Sequence, residues 1–336
     1  MASSRLLVET TRGASVESRH LGSIAVADAE GRLVVEIGDV ERPVFSRSSV
    51  KALQALPLIE SGAADRYGFS EEELALACGS HGGEPEHVET AAGALARLGL
   101  DADALECGAH WPLSGSAARA LAAAGQAPSR LHNCCSGKHA GFLCLACARG
   151  DDIAGYLALD HPVQQAVRSA VAETTGHDLS TAPVGVDGCG APTYALPLRA
   201  IALGFARFGS GLGLPPARAE AARRLMRASW SSPSMIGGAR RFDTETMRAL
   251  PERAFVKSGA EGVYVAALPE LGLGVAVKID DGAERAAEAA MAATLIRLLR
   301  PDGAAAEGLA GRARRPLFSY SDEPVGEIRM AEGAFG

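Results

Sequence analysis

A serine and a lysine stand three positions apart in the segment VFSRSSVKALQALPLIESG, residues 44–62, at Ser48 and Lys51. The apolar spacing that follows predicts a helix over 49–61, and residues three apart lie on one face of a helix. A lysine acts as a base only when it is neutral, and at the reference pKa of ~10.4 a free lysine is almost fully protonated at pH 7. The pair is therefore either a nucleophile activated in a cleft or the polar start of an ordinary helix.

Two further segments carry the same residue types. Lys257-Ser258-Gly259 directly precedes a predicted strand, as the K-[ST]-G element does that accompanies S-x-x-K in serine β-lactamases and penicillin-binding proteins. Ser80 lies in CGSHGGE, a glycine-rich loop between two predicted helices, where backbone N–H groups can approach a ligand closely. The Asp and Asn of an S-D-N motif are missing there, and taken alone the loop is better interpreted as a helix-capping turn.

The seven cysteines follow no regular disulfide framework, and in a reducing compartment such a set indicates thiols or metal ligands. Two glycine-rich loops, NCCSGKHAGF and VGVDGCGAP, bring thiols near a lysine and an aspartate. Two thiolates from separate loops with a third donor suit tetrahedral Zn²⁺, although the spacing is not that of a zinc finger. From the residue types alone, buried cysteines without a metal remain the alternative.

Composition excludes several classes of protein. The formal net charge is −7 and no basic cluster lacks nearby acidic residues, so we expect no nucleic-acid partner. No segment reaches the length of apolar residues that a membrane span requires, and the first residues do not resemble a signal peptide. The sequence therefore predicts a cytoplasmic protein without a membrane partner.

Strand patterns lie at both ends of the chain and helical periodicity fills the middle. Residues 23–28 and 32–37 predict a hairpin, eight helical segments follow between 48 and 229, and 262–268 and 272–279 predict strands before a helix over 282–299. The polar segment 231–247 and the Gly/Ala-rich segment 300–316 are interpreted as loops. The pattern predicts an α+β fold, with a sheet domain from 1–47 and 246–336 and a helical domain from 48–245.

Taken together in order, SRSSVKALQALPLIESG, CGSHGGE, NCCSGKHAGFL, VDGCGAP, KSGAEGVY and GVAVKIDDG resemble the bacterial L-asparaginase II family of the rhizobial type. The resemblance extends from about residue 9 to 299, nearly the whole chain. It implies a fold similar to serine β-lactamases and glutaminases, with an antiparallel sheet built from both chain ends and an inserted helical region. It also implies a homodimer.

The resemblance implies two Ser–Lys tandems, Ser48 with Lys51 and Ser80 with Lys257, and Ser48 as the nucleophile. It further implies a zinc ion (Zn²⁺) whose ligands are Cys135, Lys138 and Cys189. From charge and position in the motifs, we expect the substrate to be bound by Arg47, His81, Asp187, Gly188 and Glu261.

The expected reaction is hydrolysis of L-asparagine to L-aspartate and ammonia through an ester on Ser48. Glutaminase and β-lactamase-like serine hydrolase activities are the alternatives among enzymes, because S-x-x-K and K-[ST]-G are shared with them. A zinc-binding protein without catalytic activity is the alternative from another class. It would require both serines and both lysines of the tandems to be incidental.

Overall fold

The structure is a computed structural model that describes residues 3–335. The strands are β1 Arg5–Arg12, β2 Ser15–Asp28, β3 Leu33–Ile37, β4 Pro43–Phe45, β5 Val184–Val186, β6 Pro192–Pro197, β7 Phe255–Gly259, β8 Val263–Leu268, β9 Leu273–Ile279, β10 Arg314–Phe318 and β11 Pro324–Met330. The helices are α1 Lys51–Gln54, α2 Leu56–Glu60, α3 Ala63–Arg66, α4 Glu71–Cys78, α5 Pro85–Arg97, α6 Gly115–Ala123, α7 Ser136–Arg149, α8 Pro162–Thr175, α9 Leu198–Ser210, α10 Pro216–Ser231, α11 Ser234–Gly237, α12 Phe242–Ala249, α13 Glu284–Leu299 and α14 Gly303–Ala313.

The main sheet is antiparallel and is completed by both chain ends. Its strand order is β10-β11-β1-β2-β9-β8-β7, and β3 pairs with β2 beside this path. The N-terminal strand β1 therefore lies between β2 and the C-terminal strand β11. The predicted α+β class, with an antiparallel sheet from both ends and helices inserted between them, is confirmed.

The two faces of the main sheet are buried against different helices. Along β2, Ala25 and Ala27 belong to the core shared with α9 and the other inserted helices, whereas Ile24 and Val26 belong to the core shared with α13. This alternation follows from the two-residue period of a strand. On β7 it turns Phe255 and Lys257 to the side of the inserted helices and Val256 to the side of α13.

A small second sheet has the strand order β4-β6-β5, and its strands β5 and β6 lie within the stretch predicted to be helical. Its edge strand β4 pairs antiparallel with β6, from Pro43 opposite Pro197 to Phe45 opposite Ala195. The chain leaves β4 directly into the Ser48 segment. The small sheet therefore sets where that segment begins.

The predicted hairpin and the strands β8 and β9 are confirmed, but three local predictions are wrong. The helix predicted over 49–61 is broken into a 3₁₀ helix at Arg47–Val50 and the short helices α1 and α2. Pro57 lacks a backbone N–H, so the hydrogen-bond ladder cannot run through it. The hydrogen bond of Leu58 N to Ala55 O takes its place there.

The other two corrections concern segments interpreted as loops. The segment 231–247 holds α11 and most of α12, and the segment 300–316 holds α14 and the start of β10. Alanine favours helix strongly enough to tolerate the glycines of α14, and Leu309 is buried against α13. The alanines and the packing of Leu309 therefore explain why this Gly/Ala-rich segment is a helix.

Candidate active site

Ser48 lies in a tight turn between β4 and α1. Arg47 before it has φ +50°, in the left-handed region that side chains rarely adopt. Strand β7 passes so close that a Cβ on Gly259 would lie 3.0 Å from the backbone nitrogen of Ser49. Glycine at the end of the KSG segment is therefore required for β7 to approach the Ser48 turn.

Ser80 is held where α4 ends. Helix α4 begins with a capping box, in which the Ser70 hydroxyl accepts from Glu73 N and the Glu73 carboxylate accepts from Ser70 N. After α4 ends at Cys78, Ser80 N donates to Ile236 O at 2.7 Å, and a Cβ on Gly79 would lie 2.3 Å from Met235 O. The loop of Ser80 is therefore fixed to α11 by backbone contacts.

Two buried lysines meet at the Ser80 hydroxyl. Lys51 Nζ donates to Ser80 Oγ at 2.9 Å and Lys257 Nζ donates to the same oxygen at 3.1 Å. Both lysine side chains are fully buried. Lys51 Nζ also contacts Gly79 O at 2.5 Å and Cys134 O at 3.4 Å. The expected contact between Ser80 and Lys257 is present, and Lys51 contacts the same hydroxyl.

Ser48 faces the same space without contacting either amine. Among the hydrogen bonds of residues 3–335, none involves Ser48 Oγ, so the sequence-based pairing of Ser48 with Lys51 has no direct counterpart. Ser48 and Ser80 both line a cavity of about 320 Å³, together with Cys134, Ser258 and Glu261. The four residues predicted to be catalytic therefore converge around one cavity, with Ser80 between the two lysines.

Burial gives Lys257 the character of a base. Burial is the largest influence and, aided by the nearby Lys51 and Arg241 cations, it lowers the pKa of Lys257 to about 8. The Asp243 carboxylate acts in the opposite direction from 3.9 Å. At pH 7 roughly a tenth of Lys257 is neutral, far more than for a free lysine.

A buried polar network behind Lys257 was not predicted from the sequence. Asp243 Oδ2 accepts from Ser258 N at 3.1 Å and from Ser258 Oγ at 2.7 Å, and the side chain is fully buried. The carbonyl of Ser258 accepts from Lys257 Nζ at 2.7 Å. Arg241 Nη2 reaches Ser258 Oγ at 3.4 Å and Glu284 Oε1 at 2.8 Å. Asp243 therefore fixes the residue that orients the amine of Lys257.

The residues predicted to bind substrate fall into three places. Arg47 forms an ion pair with Asp187, with Nη2 and Oδ1 2.8 Å apart, and Gly188 N also donates to that oxygen at 2.7 Å. Glu261, with φ +64°, lines the cavity of the serines. His81 is buried beneath the loop, where Nε2 lies 2.8 Å from Ser136 Oγ. Burial lowers the pKa of His81 well below its ordinary value, which keeps the ring neutral.

The three predicted zinc ligands lie together at the start of α7. Lys138 Nζ is 3.1 Å from Cys189 Sγ, and Cys135, Lys138 and Cys189 are all buried. Hydrogen bonds from the Cys134 and Cys189 thiols hold the pKa of Cys135 well below its usual range. Although burial opposes the charge, the Cys189 and Cys135 sulfurs raise the pKa of Lys138.

This donor set fits Zn²⁺. Ligand atoms around tetrahedral zinc lie roughly 3.5 Å apart, and the 3.1 Å between Lys138 Nζ and Cys189 Sγ is close to that separation. A lysine ligand must be neutral, and metal binding releases its proton. A second group of possible ligands, Glu84, Glu86 and His87, has donor atoms within 4.8 Å of one another. Its histidine already contacts Ser234 O at 2.9 Å, and hard carboxylates suit zinc less well than thiolates.

Sequence reasoning missed Asp243, Arg241 and Cys134 as site residues. Asp243 and Arg241 were in a segment interpreted as a loop, although "ARRFD" has an acid at the start of a helix. Cys134 was noted with its neighbour but not assigned to the cavity, which its half-buried side chain lines. A local sequence pattern does not indicate that these side chains lie near Lys257 and Ser80 in the folded protein.

The fold and cavity define an α+β protein with paired serines and lysines in a cleft between a sheet and inserted helices. The sequence model described as L-asparaginase II matches residues 8–330, and the chain belongs to that family. Membership supports an asparaginase-type amidohydrolase as its class. A comparison with curated proteins gives no significant match.

Solved structures with similar folds are distant in sequence. Mglu in its native form is 14% identical, with 84% of this chain and 66% of that chain covered and a TM-score of 0.46. Mglu in its glutamate form is 15% identical, with 83% and 60% covered and a TM-score of 0.44. A β-lactamase from Mycobacterium bovis is 13% identical, with 82% and 94% covered and a TM-score of 0.34. The chain thus spans less than two thirds of Mglu.

Within residues 3–335, every helix is too short or too polar to cross a membrane.

Proposed function

We propose that the protein is an L-asparaginase that hydrolyses L-asparagine to L-aspartate and ammonia through a β-aspartyl ester on Ser48. The observation that carries this proposal is the contact of two buried lysines, from different elements, with one serine hydroxyl beside Ser48. The chain belongs to the L-asparaginase II family. Burying a cation costs free energy, and buried ionisable groups of this kind are concentrated at functional sites.

In the acylation step, Ser48 Oγ attacks the side-chain amide carbon while its proton passes to neutral Lys51. Backbone N–H groups around the acylated serine stabilise the oxyanion. Lys51 contacts Ser80 rather than Ser48, and catalytic hydrogen bonds often tighten only when the substrate is bound. The C–N bond then breaks, and the amide nitrogen takes up the proton to leave as ammonia.

Ser80 connects the two amines. Because its hydroxyl contacts both Lys51 and Lys257, a proton taken from Ser48 can pass through Ser80 to Lys257, whose pKa of about 8 leaves part of it neutral. In the second half-reaction the same path accepts a proton from the water that attacks the ester. Ser48 Oγ then leaves and recovers its proton.

The α-groups of the substrate require fixed charges. We propose that Arg47 and Lys257 balance the α-carboxylate and that Asp187 accepts from the α-ammonium. Glu261, Gly188 and His81 complete this set as residues that bind the substrate or support its loops. The strained backbone of Arg47 and Glu261 is consistent with such roles, because strain of this kind concentrates at functional sites.

We propose that Cys135, Lys138 and Cys189 hold one Zn²⁺ ion. When bound, this ion supplies a Lewis acid and a fixed positive charge next to the cavity. The lysine and cysteines connect the start of α7 with the loop of Asp187. They therefore orient Asp187, which in turn holds Arg47.

Substitution of each serine tests the nucleophile. Ser48→Ala is expected to lower ammonia release by at least about 10³-fold and to abolish the acyl adduct seen by mass spectrometry after acid quenching. Ser80→Ala is expected to slow both half-reactions by about 10²-fold but to retain an adduct on Ser48. Ser49→Ala is the matched control, since its hydroxyl donates to Ser46 O at 2.7 Å and does not line the cavity. An adduct on Ser80 in the wild type would contradict the assignment.

Substrate panels separate the alternatives. Ammonia release from L-asparagine and L-glutamine, assayed beside hydrolysis of a chromogenic β-lactam, distinguishes asparaginase, glutaminase and β-lactamase-like activities. One additional methylene changes selectivity by ~1–3 kcal/mol in a shaped site. No turnover of any of them by zinc-loaded protein would favour the non-catalytic zinc-binding protein. We also propose a cytoplasmic homodimer, for which light scattering gives the mass in solution.

A further inference from the structure

A second cavity adjoins the cavity of the two serines. Its volume is about 530 Å³, and it lies among the loop after Ser80, the start of α6 and the segment between α11 and α12. Leu113 and Arg241 line both cavities, so the two spaces share walls. The two cavities therefore adjoin at Leu113 and Arg241.

The size of the second cavity exceeds what free asparagine needs. Ligand pockets measure roughly 300–1,000 Å³, and the cavity of the serines, at about 320 Å³, has the volume for a small amino acid. The adjoining space of about 530 Å³ is larger than the first. The cleft as a whole has the volume for asparagine joined to another group.

The charges of the second cavity favour an anion. Arg119, Arg240 and Arg241 line it against a single carboxylate, that of Glu84. Arg241 is paired with Glu284, whereas Arg119 and Arg240 form no ion pair with any residue from 3 to 335. Guanidinium groups bind carboxylates in bidentate fashion.

The polar lining supports the same conclusion. The hydroxyls of Ser114 and Ser116 lie 3.0 Å apart in this cavity. A Cβ on Gly115 would lie 3.3 Å from Arg119 Nη1, so the guanidinium of Arg119 folds back toward these serines. Hydroxyl and guanidinium donors thus surround one part of the cavity.

We propose that the two cavities form one cleft whose second part binds an acidic group joined to asparagine by a peptide bond, so that acidic asparagine-containing dipeptides are substrates. This inference rests on the proposed function, because the side-chain amide must be the group that reacts at Ser48. The bonds broken and formed are those of free asparagine. The peptide bond replaces one α-group of asparagine by an amide, and the added residue supplies a carboxylate that Arg119 and Arg240 bind.

Matched dipeptides test the charge preference. The substrates are Asn-Glu, Asn-Gln and Asn-Lys, together with Glu-Asn, Gln-Asn and Lys-Asn, and the measurement is kcat/KM for enzymatic ammonia release at low and high salt. In at least one order, we expect the glutamate peptide to exceed its glutamine analogue by about tenfold and the lysine peptide to be poorest. High salt should reduce this difference. Equal values for all three in both orders would overturn the proposal.

Variants test the assignment to the arginines. Arg119→Gln and Arg240→Gln should each lower the ratio of glutamate to glutamine peptide, and the double variant should bring it close to one. Arg227→Gln is the matched control, because Arg227 is exposed on α10 and lines neither cavity. An unchanged ratio in the double variant would overturn the assignment.

Other outcomes of these assays would identify which part of the proposal is wrong. If Asp-Glu, which lacks the side-chain amide, stimulates ammonia release from free asparagine, the second cavity is an effector site and the substrate proposal is wrong. If neither free asparagine nor any peptide releases ammonia, the proposed function itself fails. Turnover of free asparagine with no preference among the peptides overturns the subsite alone.

Discussion

Lys51 and Lys257 are two buried amines whose Nζ atoms contact one oxygen, Ser80 Oγ. Full burial lowers the pKa of Lys257, and the nearby Lys51 cation adds to that effect. Ser80 between them accepts from both and cannot satisfy either amine alone. The carbonyls of Gly79 and Ser258 complete the contacts, which makes the backbone part of the proton-transfer site.

The Asp243 carboxylate influences the pKa of Lys257. It lies 3.9 Å from Lys257 Nζ and raises the pKa that burial lowers to about 8. Asp243→Asn removes this charge but keeps an acceptor for Ser258, so the pKa of Lys257 falls further. If neutral Lys257 is required, the rising limb of kcat/KM against pH should move to lower pH by about one unit. Ammonia release measured from pH 6 to 10 checks this.

The control for this prediction is Asp151→Asn, which removes an ion pair with Arg149 on the surface and should leave the limb in place. Other charges that face Lys257 are Lys51, Arg241 and Cys134, and these are unchanged in both variants. If the rising limb of kcat/KM against pH is unchanged in Asp243→Asn, or moves to higher pH, then the protonation of Lys257 does not determine that limb.

At the scale of residues, the sequence indicates functional residues that are close together in the chain but not the contacts between distant segments. Ser48, Lys51 and Lys257 stand in short motifs whose spacing indicates chemistry, so the sequence alone singles them out. The partners of the motifs come from far along the chain: Lys51 contacts Ser80, and Asp243 holds Ser258 through a fold that brings α12 against β7. One-dimensional spacing carries no information about such contacts.

At the scale of elements, α7 must approach α4 closely. A Cβ on Gly137 would lie 2.5 Å from Leu76 Cγ and 2.6 Å from Leu76 O, because the two helices pack with their backbones nearly in contact. Gly137→Ala is expected to push α7 away and lower the free energy of unfolding by about 2–3 kcal/mol. Denaturant titration measures this change.

The same helix supplies the control. A Cβ on Gly141 would meet Leu58 and Ala77 at 3.4–3.5 Å, which is ordinary contact. Gly141→Ala should therefore be neutral or stabilise the protein by up to about 1 kcal/mol, since alanine favours helix over glycine. Equal losses in the two variants would mean that helix propensity, rather than the contact with Leu76, decides the result.

The cysteine and lysine cluster joins α7 to the loop that carries Asp187. We predict that wild-type protein binds about one zinc per chain and that a chelator lowers its Tm, because a ligand that binds only the folded state stabilises it. Cys189→Ala should bind less zinc and lose most of the response to chelator. Zinc content by mass spectrometry and thermal unfolding provide the readouts.

Cys147→Ala is the matched control for the zinc prediction. Cys147 is half-buried on α7 and is not one of the clustered donors. Its replacement should leave both zinc content and the chelator response near wild-type values. If Cys189→Ala binds as much zinc as Cys147→Ala, the metal is held elsewhere.

Helices were predicted correctly where an apolar pattern with helical period continues over many residues. They were predicted wrongly where packing against other elements determines the local structure. Helices such as α5, α8 and α10 begin and end within a few residues of their predicted bounds. Helix α14 was missed, since its glycines favour a loop, whereas its alanines and the burial of Leu309 favour a helix. The segment of Ser48 was predicted as one helix, but Pro57 and close packing against β7 divide it.

At the scale of the whole molecule, the site is shared between two layers. Lys257 comes from the main sheet, whereas Ser48, Lys51 and Ser80 come from the inserted region. One continuous core joins these layers, with Ala276 and Phe255 of the sheet packed in the same cluster as Leu53 and Phe205 of the helices. The position of Lys257 relative to Ser80 therefore depends on the packing of α9 and its neighbours on the sheet.

This shared core predicts that activity and structure are lost together. Separation of the layers would expose the core and pull Lys257 away from Ser80, so a partly open state without activity should not be populated. In a urea titration, the midpoints for ammonia release, helical circular dichroism and tryptophan fluorescence should coincide. Gly274→Ala, whose Cβ would lie 2.0 Å from Ala202 O on α9, should lower all three midpoints together. Gly308→Ala, with nothing within 4 Å, serves as the control. Loss of ammonia release at a clearly lower urea concentration than the loss of dichroism would show that the two layers separate before they unfold.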